Sequence, residues 1–191
     1  MAEAAQDDST DTLVVVESEF GNTRKIADVL AAALGDHAEI VPVTVAPSVV
    51  PEGVRLLVIG GPTHAFGMST TASRAYARSL GGAPTTGIRE WITQLRPSSG
   101  CWVATFDTRQ SSRFPGSAAR RAAKALARKG FRQLDPPRTF HVLGTTGPLD
   151  DGETKRAIDW GHRLCELVAE HDQNQHDQND HDQEQHDQEQ A

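Results

Sequence analysis

The chain has 191 residues, 37% hydrophobic and 24% charged, with 19 Lys+Arg against 26 Asp+Glu and a formal charge of −7. That length suits one domain with a real core, and the net charge argues against non-specific nucleic-acid binding. No apolar run reaches the roughly 18–20 residues of a membrane-spanning helix, the acidic start lacks the basic and apolar regions of a secretory signal, and two cysteines make no disulfide framework, so a cytoplasmic protein is expected.

The charge is unevenly placed. Residues His171 to Ala191 hold seven acids and no base, and Met1 to Asp11 hold four acids and no base, leaving 15 acids against all 19 bases in between, a net of +4. The first eleven residues are too polar to repay ordering and are expected to be disordered. Thr12 to Glu17 is a β-branched run, the first strand. Asn22 to Leu34 carries an apolar stripe at helical spacing (Ile26, Val29, Leu30, Ala33), with Gly35 as its stop. Glu39 to Thr44 is a short strand whose Pro42 suits an edge, and Val45 to Val54, with two prolines, leaves no room for a long helix.

Arg55 to Gly60 is a strand whose unbroken apolar run implies burial on both faces. Helices are expected around Thr70 to Leu80 and Gly87 to Leu95, a strand at Cys101 to Phe106, an Ala-rich helix at Ser117 to Lys129 and a last strand at Thr139 to Leu143. The final helix, Asp151 to Ala169, opens with Asp150 and Glu153 at capping-box spacing. Beyond it, 171–191 repeats HDQxx four times with no apolar residue before Ala191, so it has no face to stack and is expected to be disordered. Its histidines, His171, His176, His181 and His186, recur every five residues. That spacing turns a helix by about 500° and scatters them over different faces, against a defined zinc site. Both cysteines and Trp91, Trp102, Trp160 and Tyr76 read as core packing.

Strands alternating with helices mean a parallel sheet covered on both faces. In such sheets ligands bind beyond the strand C-termini, at the topological switch point, which directs attention to the loops Ser18 to Thr23, Gly60 to Thr70 and Phe106 to Gly116. The first offers a phosphate monoester what it needs: a glycine for close backbone approach, hydroxyl and amide donors on Ser18, Asn22 and Thr23, and the N–H groups of a helix start. An ordinary capped βα turn shares those features. Neither G-x-x-x-x-G-K-[ST] nor G-x-G-x-x-G is present. No catalytic carboxylate pair or nucleophile–base pair is legible, and His141 reads as a core or edge residue. A phosphorylation receiver is disfavoured: no Asp ends the first strand in an acidic pocket and no Lys ends the last one.

ESEFGNTRKIADVL resembles the phosphate loop of flavodoxins, usually [ST]-x-[ST]-G-N-T before a helix, and LLVIGGPTHAFGM resembles their second flavin loop. ATF with Asp107, Thr108 and Arg109 falls where the third loop lies, and FHVLGTTGPLDDGETKRAIDWGHRL is similar to the family's last strand and helix. The likeness covers Thr12 to about Val168. It implies a flavodoxin-like five-stranded parallel sheet of order 2-1-3-4-5, helices on both faces, with no insertion splitting the last strand, as in the short-chain form. It further implies FMN, with its phosphate on Ser18, Glu19, Phe20, Gly21, Asn22 and Thr23. One side of the ring system would be lined by Pro62, Thr63, His64, Ala65, Phe66 and Gly67, with Gly67 a peptide-flip position, and the other by Thr105, Phe106, Asp107 and Thr108.

Two departures matter. Phe20 stands where that family often has a hydroxyl, a loss of about 1 kcal/mol of phosphate binding. Members of the family surround FMN with acids, which disfavour an anionic reduced flavin; here Arg109 and Arg113 flank the third loop, Arg24 and Lys25 follow the first, and Arg120, Arg121, Lys124 and Arg128 form a basic stripe. The resemblance implies an electron-transfer flavoprotein with a redox partner protein; the added basic charge points to a raised potential, and the stripe reads as a solvated face or as a dock for an acidic partner. Alternatives are an FMN-dependent NAD(P)H:quinone-type oxidoreductase and a flavodoxin-like interaction module that has lost FMN. Neither nucleic acid nor membrane is an expected partner.

Overall fold

The computed structural model describes residues 10–83, 86–98, 100–111 and 116–189, with side chains described as far as Asn174. Most of the expected disordered N-terminus and Arg113 lie outside these residues.

In chain order the elements are β1 (Thr12–Val16), α1 (Asn22–Leu34), β2 (Ala38–Pro42), β3 (Leu56–His64), β4 (Gly67–Met68), α2 (Thr71–Ser79), α3 (Ile88–Gln94), β5 (Trp102–Gln110), α4 (Ala118–Ala127), β6 (Arg132–Gln133), β7 (Arg138–Val142) and α5 (Glu153–Glu189). The sheet runs β2-β1-β3-β5-β6, with β7 alongside β5 and β4 folded back on β3. All pairings are parallel except β3 with β4. Leaving out β4 and counting β6 and β7 as one sheet position, the order is the expected 2-1-3-4-5. Pro42 does sit on the edge strand.

Alternation within the apolar runs builds two cores. Leu13 and Val15 of β1, Leu57 and Ile59 of β3 and Val103 of β5 face α3 and α4, against Ile88, Trp91, Ile92, Ala118, Ala122 and Leu126. Val14, Val16, Leu56, Val58, Ala104 and Phe106 face α1 and α5, against Ile26, Leu30, Ala157, Trp160 and Leu164. Each large side chain fully buried this way contributes roughly 1.5–3 kcal/mol. Phe106 packs edge-to-face with Phe140 and Trp160, centroids about 6 Å apart, the arrangement favoured by aromatic quadrupoles.

Several expectations change. The fifth sheet position is broken: β6 pairs with the start of β5 and β7 with its end, and residues 134–137, which include Pro136 and Pro137, separate them because proline cannot donate to the ladder. Asp135, in that break, is buried and accepts from Trp160 Nε1 at 2.9 Å, Arg163 Nε at 3.0 Å and Arg138 Nη2 at 3.0 Å. Asp150 forms no capping box. Its Oδ1 accepts from the Asp151 N–H at 2.8 Å, while the Glu153 carboxylate is engaged by Arg156.

The last helix does not stop at Ala169; the repeat continues it to Glu189. The first turn of the repeat is held at the N-terminal ends of the strands. His171 stacks on Trp102 at 4.2 Å, Arg132 lies 4.1 Å from the same ring, and Asp172 pairs with Arg55. Cys101 is buried, but Cys165 is exposed beside the Ala33 and Leu34 carbonyls.

Candidate functional site

A pocket of about 460 Å³ opens at the C-terminal ends of β1, β3 and β5, over the switch between β1 and β3. Ten of the expected site residues line it: Ser18, Glu19, Phe20, Asn22 and Thr23 from the first loop, Pro62, Thr63, His64 and Ala65 from the end of β3, and Thr108 from β5.

The first loop is shaped by Gly21, whose φ of 85° is a conformation side chains resist. It caps α1 without a side-chain hydrogen bond of its own, so the side chain that reaches the helix start is that of Ser18. Ser18 Oγ accepts from the Arg24 N–H at 3.2 Å, and Thr23 Oγ1 meets Thr108 Oγ1 at 2.7 Å, tying α1 to β5 across the site. The α2–α3 connection folds over this loop through Ala83 N–H to the Glu19 carbonyl at 2.8 Å.

Beside the loop lies a buried ionic network. Glu17 ends the β1 run; its carboxylate accepts from Ser69 Oγ and from the Ile88 N–H at 2.8 Å. Burial pushes its pKa up to about 7, against those hydrogen bonds. Arg74 of α2 donates to Ser69 Oγ at 2.7 Å and to Glu90 of α3 at 3.1 Å. Glu19, its side chain 1% exposed, has His64 Nε2 3.5 Å from Oε1. Hydrogen bonding to Glu19 raises the His64 pKa, against burial. Asn22 Oδ1 is buried with no hydrogen-bond partner among the described residues, which leaves an acceptor in the pocket-lining loop for a donor on a ligand.

The other expected residues do different work. Thr105 and Phe106 fall in the strand as expected, and β5 runs on to Gln110, so Asp107 is a strand residue as well. All three are fully buried, Phe106 in the aromatic core. Asp107 is an organiser: one carboxylate oxygen accepts from Thr63 Oγ1 at 2.9 Å, Ser117 Oγ at 2.5 Å and the Ala119 N–H at 3.0 Å. Thr63 in turn accepts from the Ala118 N–H at 2.8 Å, so the start of α4 is tied to the pocket wall.

Residues 65–66 turn β3 into β4, with His64 opposite Gly67. Gly67 is not the strained position; that is Ala65, with φ 51°. Gly67 instead makes room for Arg121, since a Cβ there would lie 2.3 Å from Arg121 Cδ. Arg121 Nε donates to the Phe66 carbonyl at 2.9 Å, and the Phe66 side chain points out, 55% exposed.

The pocket also takes residues that sequence reasoning missed. Ser73, Tyr76, Ala77 and Leu80 of the α2 region wall it, joined by Arg109 and Gln110 of β5, Gly116, Val142 and Thr145. Tyr76 is 67% exposed, not core. With Phe20 it supplies aromatic lining. The signal was available, since Tyr76, Ala77 and Leu80 recur at helical spacing on a helix rich in Arg and Ser. Trp91 and Trp160 are buried as expected and Trp102 is partly buried. His141 bonds Ser111 Oγ at 3.2 Å and does not line the pocket.

This architecture is the flavodoxin-like fold. Oxidised flavodoxin 1 from Bacillus cereus superposes with a TM-score of 0.60 at 16% identity, covering 81% of this chain and 97% of that one. Flavodoxin 2 from the same organism gives 0.60 at 14% identity, covering 82% and 98%, and a flavodoxin from the domain Archaea gives 0.56 at 17%, covering 83% and 98%. No protein-family model and no curated protein matches the sequence. Among the described residues no helix is long and apolar enough to cross a membrane.

Proposed function

We propose that the chain binds FMN in this pocket and carries electrons to or from a partner protein. The observation that carries the reading is the glycine-capped α1 N-terminus, with Ser18, Asn22 and Thr23 around it, at an aromatic-walled cavity over the β1–β3 switch. An anion is favoured by the N–H groups at that terminus and the helix dipole, and a flat ring by Tyr76. The residues present fit this cofactor. Ser18, Asn22 and Thr23 stand at the helix start for the phosphate, the unpartnered Asn22 oxygen suits a hydroxyl donor of the ribityl chain, and Pro62, Thr63, His64 and Ala65 line the cavity beside Thr108, the ladder partner of Pro62.

The flavin, when bound, supplies the electron-accepting chemistry; the protein holds it and sets its surroundings. Arg109, at the pocket end of β5 with Nη1 on the Gly116 carbonyl at 2.5 Å, puts positive charge beside the ring site. That favours the anionic reduced form and a higher potential than acidic surroundings would give. The exposed Arg120, Arg121, Lys124 and Arg128 of the α4 region, with Arg121 reaching Phe66 at the pocket rim, suit an acidic redox partner.

The deciding experiment is an absorbance scan of the purified protein before and after adding FMN. Bound-flavin bands are expected. A colourless protein that takes up no FMN overturns the reading and leaves an interaction module. Steady-state NAD(P)H oxidation with a quinone acceptor separates a carrier, expected to be slow, from an enzyme.

A further inference from the structure

Glu19 is an unexpected neighbour for an anion. It lies in the loop that opens α1, it lines the same pocket, and its carboxylate is withdrawn from water. A phosphate monoester carries about −1.5 to −2 charge at neutral pH. Placed in this loop it meets a buried like charge, which low local polarity makes costly. A proton relieves that cost, and the group positioned to hold it is His64, which lines the pocket and faces Glu19 Oε1 at 3.5 Å.

We infer that Glu19 and His64 act as one unit at the phosphate end of the pocket: the phosphate monoester is bound with His64 protonated, and Glu19 sets how strongly a phosphorylated ligand is preferred over its unphosphorylated counterpart. The inference rests on the flavin reading above and adds to it a ligand-discriminating pair.

The other charges around the pair are already engaged. Glu17, at the end of β1, is held by Ser69 and Ile88. Arg74 of α2 is turned to Ser69 and to Glu90 of α3. Arg109 of β5 donates to Gly116, and Asp107 of β5 is bound by Thr63, Ser117 and Ala119. Glu19 and Glu17 favour the imidazolium, while burial and Arg74 oppose it. Above the pH at which His64 deprotonates in the free protein, phosphate binding must therefore take up a proton, and affinity falls by up to about tenfold per pH unit. Riboflavin, which lacks the phosphate, brings no such linkage.

The test is titration of the flavin-stripped full-length protein with FMN and with riboflavin, read by quenching of flavin fluorescence. The range runs from about pH 7, above the ligand's own phosphate pKa of about 6, to pH 9. The preference for FMN over riboflavin is expected to fall by about tenfold across the range in the wild-type protein. Glu19→Gln should raise that preference at pH 9 by about tenfold, and His64→Gln should flatten its pH dependence. A wild-type preference that does not change with pH overturns the inference while leaving the flavin reading intact, and this arm needs no variant to fold. A preference unmoved by both substitutions also overturns it. Failure of either flavin to bind at any pH sinks the flavin reading, and the inference with it.

Discussion

Asp135 and Glu17 are both carboxylates removed from water, yet they answer burial in opposite ways. Asp135 lies in the break between β6 and β7, where Trp160, Arg138 and Arg163 all donate to it. Burial alone would raise its pKa, but those hydrogen bonds outweigh it and the pKa is lowered. Glu17 lies beside the pocket with one hydroxyl and one backbone donor, and burial wins, taking it to about 7. Its neighbour Glu19 is approached at Oε1 by His64 Nε2 no closer than 3.5 Å. Where the chain only needs to close its sheet, donors saturate the charge. Next to the cavity, charge is left under-compensated and able to respond to what enters.

The sharpest way to break this contrast is Asp135→Ala. It strands the buried Trp160 N–H and removes the partner of two arginines, and should cost about 3–4 kcal/mol in urea unfolding at neutral pH. Because the Asp135 pKa is lowered on folding, the wild-type contribution is present above about pH 4 and lost as pH falls through the folded value. A loss under 1 kcal/mol would mean the site is not saturated as described.

Glu17 should show the opposite sign. Its pKa is raised on folding, so its contribution is greatest below about pH 4.5 and is lost as pH rises through 7, on the order of 3 kcal/mol. The raised His64 pKa adds loss in the same direction at higher pH. Unfolding series for wild type and Glu17→Gln across pH 4.5 to 7.5 test this; the variant should lose most of the slope. Smaller still, Tyr76→Ala should weaken flavin binding by about 1 kcal/mol, roughly fivefold, with the unfolding midpoint unchanged because the side chain is mostly exposed. The smallest effect is His171→Ala, about 0.5 kcal/mol of stability with flavin affinity unaltered, since that ring packs on Trp102 at the far end of the sheet.

Much of this was readable from residue patterns. The runs at Thr12, Arg55 and Cys101 gave their strands because their side chains are apolar on both faces of a doubly covered sheet, and Asn22 to Leu34 became α1 without adjustment. The pocket's first two loops were legible because glycine, proline and hydroxyl residues gather at strand ends. The third was not. Parallel pairing carries β5 on to Gln110, opposite the extended β3, so Asp107 and Thr108 have sheet neighbours where a loop was expected. The face that α2 turns to the cavity was also hidden, because composition does not say which of two polar-looking sides meets a ligand. The split of the fifth sheet position had a visible cause in Pro136 and Pro137.

The α5 helix has one further consequence. It begins beside the pocket end of the sheet and, by His171 and Asp172, has reached the starts of β3, β5 and β6. Whatever is attached at the C-terminus is therefore led away from the cavity mouth. A tag, a fused partner or a linkage to an electrode placed there would orient the molecule with its pocket outward, which gives a way to measure exchange with a docking partner free of obstruction by the support.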